Sequence, residues 1–231
     1  MKQNKIFKTI TLLLVSTLII MFLIISVKDK KIHANNKLTS TIIYIDPGHG
    51  GFDGGACSNI LINNQKVIEK DITLQVSLYL QNYLEKTGFK VLITRNIDKS
   101  LGTTKKEDIY KRVDLINNSN ADIYLSIHAN SYPHEIVHGA QTFYNSQNEE
   151  NKNIAVSIMD MLKNIDKTNN RMPKSIENKY LLDHVKKIGC LIEIGFLTNN
   201  EELRKLISDN YQQQLAFMIY LGILNYLESR K

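Results

Sequence analysis

Four ionisable side chains occupy positions where the surrounding sequence predicts a buried strand or the apolar face of a helix. His49 and His128 come directly after the strand-like stretches "IIYIDPG" and "IYLSI", Glu193 lies inside the apolar run "CLIEIGFL", and Glu69 stands three residues before Ile72 at the start of a helical stripe. Two imidazoles and one carboxylate can bind a zinc ion that keeps its fourth position for water. A second carboxylate can then carry protons. The four residues therefore indicate a hydrolytic metal site, without deciding which carboxylate binds the metal.

Each of these residues also has an explanation that needs no metal. A histidine at a strand end more often forms ordinary hydrogen bonds, and the helix dipole favours an acid such as Glu69 in a first turn. Glu193 is harder to explain, because a carboxylate in a buried strand is costly unless it is paired or bound to a metal. The chain has no compact signature such as HExxH. The chemistry therefore depends on how the fold brings four distant residues together.

The elements that must position these residues alternate between strands and helices. The predicted strands are Thr41–Ile45, Lys90–Thr94, Asp122–Ile127, Gly139–Tyr144, Ile188–Ile194 and a short edge strand at Tyr180–Leu182. The predicted helices are Glu69–Lys86, one opened by the capping box of Thr104 and Glu107, Asn153–Ile165, Glu201–Ile207 and Tyr211–Leu227. This order predicts a single α/β domain, with a mixed, mostly parallel twisted sheet of about six strands and helices on both faces. Open sheets of this kind bind ligands at the carboxyl ends of their strands, where His49 and His128 fall.

The N-terminal segment has the pattern of an export signal or a membrane anchor. An uncharged run from Ile10 to Val27 follows Lys2, Lys5 and Lys8. Its 18 residues are long for a signal peptide core and just sufficient to span a bilayer. Because "IHANN" offers only a weak cleavage site, we favour an uncleaved signal-anchor over a cleaved signal. We therefore predict an anchor with its linker over residues 1–35 and a catalytic domain over residues 36–231.

The excess positive charge belongs to this N-terminal segment. Residues 1–31 contain six lysines and one aspartate, which accounts for +5 of the total charge of +6. The rest of the chain has 23 basic and 22 acidic residues. A nearly neutral domain lacks the basic surface that a polyanion requires, so nucleic-acid binding is disfavoured.

The remaining cysteines and histidines give weaker signals. Two cysteines are too few for a disulfide scaffold, and we interpret Cys57 and Cys190 as free thiols, although an exported chain could pair them. Four histidines are interpreted as surface residues: His33, His134, His138 and His184.

Six sequence blocks, taken in order, are similar to those of a known family. The blocks are "IDPGHGGFDGGA", "EKDITLQVSLYL", "TRNIDKSL", "RVDLINNSNADIYLSIHANS", "GAQTFY" and "LIEIGFLTNNEE". With them, the chain from about Ile42 onward resembles the zinc-dependent N-acetylmuramoyl-L-alanine amidases of bacterial cell walls. The resemblance implies one zinc ion on His49, Glu69 and His128, with Glu193 as the catalytic acid and base. It also implies hydrolysis of the amide bond between N-acetylmuramic acid and L-alanine in peptidoglycan.

The layout of an N-terminal anchor and one catalytic domain resembles the spore-cortex amidases of endospore-forming bacteria. That resemblance implies a role in cortex maturation, through muramic-lactam formation. The expected location is the outer side of the membrane, in the cell wall or the forespore intermembrane space, with a possible accessory protein as partner. Two alternatives stay open: another zinc peptidase acting on cell-wall peptides, and a partner-dependent wall-binding protein.

Other residues near these motifs also have two interpretations each. Asp46 either orients His49 by accepting a hydrogen bond or stabilises the turn. Arg95 and Arg112 have the planar guanidinium that suits bidentate binding. They therefore either bind carboxylates of the peptidoglycan stem peptide or form structural salt bridges. The glycines around His49 are expected to permit a sharp turn and to let a bulky glycan approach the metal.

Overall fold

Apolar runs of the sequence form the centre of the sheet in the computed structural model, which describes residues 39–230. The strands are β1 Ile42–Pro47, β2 Cys57–Ile62, β3 Gln65–Ile68, β4 Lys90–Ile93, β5 Ile123–Asn130, β6 Gln141–Tyr144, β7 Lys174–Ser175 and β8 Ile188–Phe196. The helices are α1 Glu69–Lys86, α2 Lys105–Asn118, α3 Glu149–Leu162, α4 Tyr180–His184, α5 Asn200–Leu206 and α6 Asp209–Ser229. In β1 and β5 nearly every residue is buried, as expected for parallel strands that helices cover on both faces.

Six of the strands make one sheet in the order β4-β1-β5-β8-β6-β7, and β2 and β3 make a separate hairpin. The strands β4, β1, β5 and β8 are mutually parallel, whereas β6 runs antiparallel to β8. This topology confirms the predicted mixed, mostly parallel sheet of six strands. It also makes β1, β5 and β8 direct neighbours, so their carboxyl ends meet at one edge.

Helices cover both faces of this sheet, as the sequence predicts. On one face, α1 and α3 pack against the strands, and α6 packs against both of these helices. On the other, α2 and α4 pack on an apolar cluster that contains Tyr44 of β1 and Tyr124 of β5. Alternate residues of a strand point to opposite faces, so Ile43 and Ile45 face the first layer while Tyr44 faces the second.

Two helices begin or end where local sequence signals predict. The limits of α1 are the predicted ones, since its buried residues repeat at helical spacing and Gly88 follows its end. In front of α2, the Thr104 side chain accepts a hydrogen bond from the Glu107 backbone N–H at 3.1 Å. This is the N-terminal cap expected from the threonine and glutamate spacing.

The structure corrects the predicted edge strand and defines the connection before α1. Tyr180–Leu182 is part of helix α4, because Leu181 and Leu182 are both buried and a strand would turn consecutive side chains to opposite faces. The outer edge is β7, and β6 lies one strand inside it. Residues 57–68, which carry no clear prediction, form the β2–β3 hairpin. Its turn contains Asn63 and Asn64 at positive φ, as in tight hairpin turns.

A compact unit begins at Thr41. The predicted signal-anchor lies outside the described residues, and the division at residues 35 and 36 remains a prediction. None of the helices within residues 39–230 has the length and hydropathy that crossing a bilayer requires.

Candidate metal centre

The carboxyl ends of three neighbouring strands bring His49, His128 and Glu193 to one edge of the sheet. His49 lies two residues beyond β1, and His128 lies near the end of β5. His128 is the register partner of Glu193 in β8, so both side chains leave the same face of the sheet. The β5–β8 register shifts directly after this pair. Such irregularities bend a strand and redirect side chains beside a site.

Glu69 reaches the same place from the other direction, as the first residue of α1. Its Oε1 lies 3.2 Å from His49 Nε2 and accepts a hydrogen bond from His128 Nδ1 at 2.9 Å. One ligand atom from each of the three residues lies within 4.8 Å of the other two. Two imidazoles and a carboxylate in this proximity could hold a metal ion, and they are of the ligand types that zinc takes.

Backbone groups fix the carboxylate of Glu69. Its Oε2 accepts from Ala56 N–H at 2.7 Å, and its Oε1 accepts from Ala129 N–H at 3.1 Å. Burial opposes the charge, but hydrogen bonds from His128 and His49 outweigh it and lower the pKa of Glu69. The carboxylate is therefore ionised and oriented, as a metal ligand must be.

Two glycines leave the space that the three side chains occupy. A Cβ atom on Gly55 would stand 2.5 Å from Glu69 Oε2 and 2.6 Å from His49 Cδ2. A Cβ atom on Gly48 would stand 2.4 Å from His128 Cε1. All three distances are too short for any side chain, so the glycines make room for the ligands themselves. Space for the ligand side chains therefore explains these two glycines more directly than the expected approach of a glycan does.

A closed turn orients the ring of His49, whose backbone has a φ of 60°. Gly50 and Asp53 exchange two backbone hydrogen bonds, which return the chain to the imidazole. His49 Nδ1 then donates to Asp53 Oδ2 at 2.7 Å. With its proton on Nδ1, the ring presents Nε2 towards Glu69 and His128.

The acceptor for His49 is therefore Asp53, and the proposed bond between Asp46 and His49 is wrong. Asp53 is also paired with Lys105, whose Nζ lies 2.8 Å from Asp53 Oδ1. Burial would raise the pKa of Asp53, but the bonds from Lys105 and His49 lower it to about 2. Asp53 thus remains a charged acceptor throughout the neutral range.

Asp46 and Arg112 have a structural role beneath the His49 loop. Arg112 donates to Asp46 Oδ1 at 2.8 Å and to the Pro47 carbonyl at 2.7 Å, and it also bonds Asp108 and the His49 carbonyl. Ser126 donates to the other oxygen of Asp46 at 2.8 Å. The side chains of Asp46, Asp108 and Arg112 are all buried. Arg112 therefore cannot reach a substrate.

Arg95 supports the same loop from the side of α1. Its guanidinium donates to the carbonyls of Gly48 and Lys70, each at 2.8 Å, and its side chain is buried. The predicted structural salt bridges are therefore confirmed for Arg112, whereas Arg95 has a structural role through backbone carbonyls and forms no salt bridge among residues 39–230.

Glu193 differs from Glu69 in the hydrogen bonds that its carboxyl group forms. Its Oε2 is shielded from solvent and has no hydrogen-bond partner among the described residues. Burial raises the pKa of Glu193 to about 7, although the charge of His128 acts in the opposite direction. A carboxyl group with a pKa near neutrality is suited to accept and return a proton.

A cleft of about 590 Å³ opens beside these residues, on the face of the sheet that α2 and α4 cover. His49, Glu69, His128 and Glu193 all line it. The remaining described histidines, His134, His138 and His184, are exposed, and His33 lies outside the described residues. Cys57 and Cys190 are both free, as predicted.

Comparison with known proteins decides the family. The family model described as N-acetylmuramoyl-L-alanine amidase matches residues 43–225. The chain belongs to this amidase family. It is 42% identical over 201 residues to the germination-specific N-acetylmuramoyl-L-alanine amidase of Bacillus subtilis, covering 84% of this chain and 82% of that protein.

Solved structures agree with this assignment. The amidase resembles the CwlD amidase of Clostridioides difficile, solved in complex with the GerS lipoprotein, with a TM-score of 0.77 and 37% identity over 82% of this chain and 99% of that chain. A second amidase, from Clostridium difficile 630, has a TM-score of 0.74 and 32% identity over 83% of this chain and 98% of that chain. The amidase is thus a hydrolase of the bond between N-acetylmuramic acid and L-alanine, rather than a peptidase of the stem.

Among the residues of the amidase site, sequence reasoning missed Asp53 and its partner Lys105. A signal for Asp53 was present, because it stands four residues after His49 inside a glycine-rich turn. Lys105 carries no such signal, since it reaches Asp53 across the start of α2.

We expect Asp53→Asn to lower the affinity of the amidase for zinc by about 10- to 100-fold, as other losses of acceptors behind metal-binding histidines do. The amide keeps the shape but not the charge that fixes the His49 ring. Calorimetric titration of the metal-free protein with zinc measures the effect. Asp98→Asn is the matched control, because Asp98 holds the same loop through Gly51 N–H without touching the imidazole. Equal losses in both variants would contradict a role for Asp53 in orienting His49.

Proposed function

We propose that this amidase depends on zinc, which His49, Glu69 and His128 bind, and that Glu193 is its proton carrier. The observation that supports this is the approach of the three ligand atoms to within 4.8 Å of one another, in a space that only glycines at positions 48 and 55 leave open. When bound, zinc would polarise the amide carbonyl and make a water molecule more acidic.

The side chains of the amidase have separate roles in the proposed reaction. Glu193 is placed beside the ligands with an unpartnered oxygen, so its carboxylate accepts a proton from the attacking water. The same group then donates that proton to the departing amine of L-alanine. Glu69, Asp53 and the two buried arginines hold the histidines in place and take no proton.

The proposal predicts that Glu69→Ala loses tight zinc binding. The variant removes a charged ligand and also leaves the N–H groups of Ala56 and Ala129 without their acceptor. We expect zinc affinity to fall by at least about 100-fold and hydrolysis of peptidoglycan to stop with it. Zinc titration followed by calorimetry, with metal content measured after dialysis, tests this.

Asp71→Ala is the control for this experiment, because Asp71 is exposed in the same first turn of α1. It should bind zinc like the wild type. Full zinc occupancy in Glu69→Ala would remove Glu69 from the ligand set. Hydrolysis by metal-free wild-type protein would exclude zinc dependence.

We further propose that the enzyme matures spore-cortex peptidoglycan, where removal of the stem peptide precedes muramic-lactam formation. The support is its similarity to the germination-specific amidase of Bacillus subtilis and to the CwlD amidase. Spores of a strain that lacks this protein should contain cortex without muramic lactam. Normal lactam content in such spores would place the enzyme elsewhere in the wall.

An accessory protein and a membrane anchor complete the proposal. The CwlD structure contains a lipoprotein, GerS, and we propose that this chain also binds a protein partner outside the membrane, held there by its N-terminal segment. Zinc affinity and activity of the purified enzyme, measured with and without membrane extract from sporulating cells, test the need for a partner. Fractionation of the same cells tests the anchor.

A further inference from the structure

A large part of the cleft lining is apolar. The side chains that form it are Ile109, Phe143, Ile176, Leu181, Leu182 and Leu191. Sugar hydroxyls need polar partners when they leave water, whereas the methyl groups of alanine residues in the stem do not. This part of the cleft therefore suits the stem peptide better than the glycan.

Lys179 provides the positive charge of this cleft, because apart from the histidines it is the basic residue that lines it. Its side chain is exposed, and it forms none of the salt bridges found among residues 39–230. Its charge nevertheless acts on the carboxyl group of Glu193. An ammonium group outside any salt bridge of residues 39–230 thus lines the same cleft as Glu193.

The two charges of a bound zinc ion would be offset by the carboxylates of Glu69 and Glu193, so these groups together would give an anionic substrate no net attraction. The cleft contains the carboxyl groups of Glu69 and Glu193, and the nearby Arg95 and Arg112 are buried against backbone carbonyls. The peptidoglycan stem carries carboxylates after its alanine. A cation that binds them must therefore come from another position, and Lys179 is placed to supply it.

The position of Lys179 is fixed by its neighbours. It directly precedes α4, which Leu181 and Leu182 anchor in the apolar cluster. Tyr180 stacks on His184 with ring centroids 4.0 Å apart, and it also lies 4.6 Å from the ring of Tyr110 in α2. The residues that follow the lysine are therefore packed in place, so binding would have to order its side chain rather than the helix behind it.

We propose that Lys179 binds a carboxylate of the stem peptide, on the residue that follows L-alanine, and so selects acidic stems. This inference rests on the proposed amidase function. It assigns to Lys179 the carboxylate binding that the sequence suggested for the two arginines.

The test compares two synthetic disaccharide-peptides that differ only after alanine. One carries D-glutamate with free carboxylates, and the other carries the corresponding diamide. We expect the wild-type enzyme to prefer the acid by about tenfold in kcat/KM, the effect of one charge-assisted contact. In Lys179→Ala, kcat/KM should fall for the acidic substrate and stay unchanged for the diamide, so the preference disappears. Lys179→Arg should keep the preference. Lys186→Ala, an exposed lysine outside the cleft, is the control.

The possible results separate the inference from the function on which it rests. A preference that persists in Lys179→Ala would overturn the inference. An equal loss on both substrates, with a shifted pH profile, would also overturn it, because Lys179 would then act through Glu193. If the wild type released no alanine amine from either compound or from intact peptidoglycan, the proposed function itself would fail.

Discussion

Replacing Glu193 with glutamine is expected to lower kcat by about 10²- to 10⁴-fold, the usual contribution of a general acid and base. Glutamine has nearly the same shape, but it can neither accept the proton of the attacking water nor return it to the amine. Zinc affinity should stay close to that of the wild type, since Glu193 is outside the three-residue ligand set. Release of alanine amino groups from peptidoglycan, together with zinc titration, measures both quantities.

Glu228→Gln, which removes an exposed carboxylate near the end of α6, should leave both quantities unchanged. An active Glu193→Gln variant would show that another group carries the proton. Loss of zinc in that variant would instead move Glu193 into the ligand set.

The same substitution has a second consequence in the metal-free protein. The pKa of Glu193 is raised from 4.5 to about 7 by burial. As pH rises between these values, Glu193 loses its proton in the unfolded chain but keeps it in the folded protein. The free energy of unfolding of the wild type therefore falls. Glutamine does not titrate, and the variant should gain up to about 3 kcal/mol relative to the wild type between pH 4 and pH 8. Denaturant unfolding at the two pH values measures the difference, and a constant difference would contradict the raised pKa.

The largest effect on stability is expected from Arg112→Met. Removal of the guanidinium leaves the carboxylates of Asp46 and Asp108 buried without their partner. Breaking a buried ion pair in this way costs about 3–5 kcal/mol. The Pro47 carbonyl also loses one of its two arginine donors, and the His49 carbonyl loses its bond to Arg112, so zinc affinity should fall together with the free energy of unfolding.

Lys111→Met is the matched control, because Lys111 precedes Arg112 in the same helix and pairs with Glu107 at the surface. Its loss should change the free energy of unfolding little, since exposed pairs contribute little. Similar effects in the two variants, measured by denaturant unfolding, would contradict the bracing role of Arg112.

The sequence predicts those features that depend on local periodicity. The apolar runs of β1, β5 and β8 and the stripe of α1 determine the sheet and its helices. His49, His128 and Glu193 stand out because they interrupt such runs. Glu69 is visible by its place at the start of α1. The amino-acid pattern therefore predicts the fold class and the central sheet, and it selects the four candidate residues.

Contacts between distant parts of the chain could not be predicted in this way. Asp46 meets Arg112 across 66 residues, and this pairing depends on the order of the strands. The role of Asp53 depends on a turn that returns the chain to His49. Tyr180–Leu182 reads as a strand until the cluster beneath α4 shows that both leucines are buried together.

The pairing of His128 with Glu193 across β5 and β8 also limits how the gene can be edited. Inserting or deleting one codon in β8 ahead of Glu193 would turn its side chain to the opposite face of the sheet. The candidate ligand and the candidate proton carrier would then stand on different sides, even if the domain still folded. Fluorescent or affinity tags therefore belong elsewhere. The exposed tip of the β2–β3 hairpin, at Asn63 and Asn64, offers a place where added length leaves this register untouched.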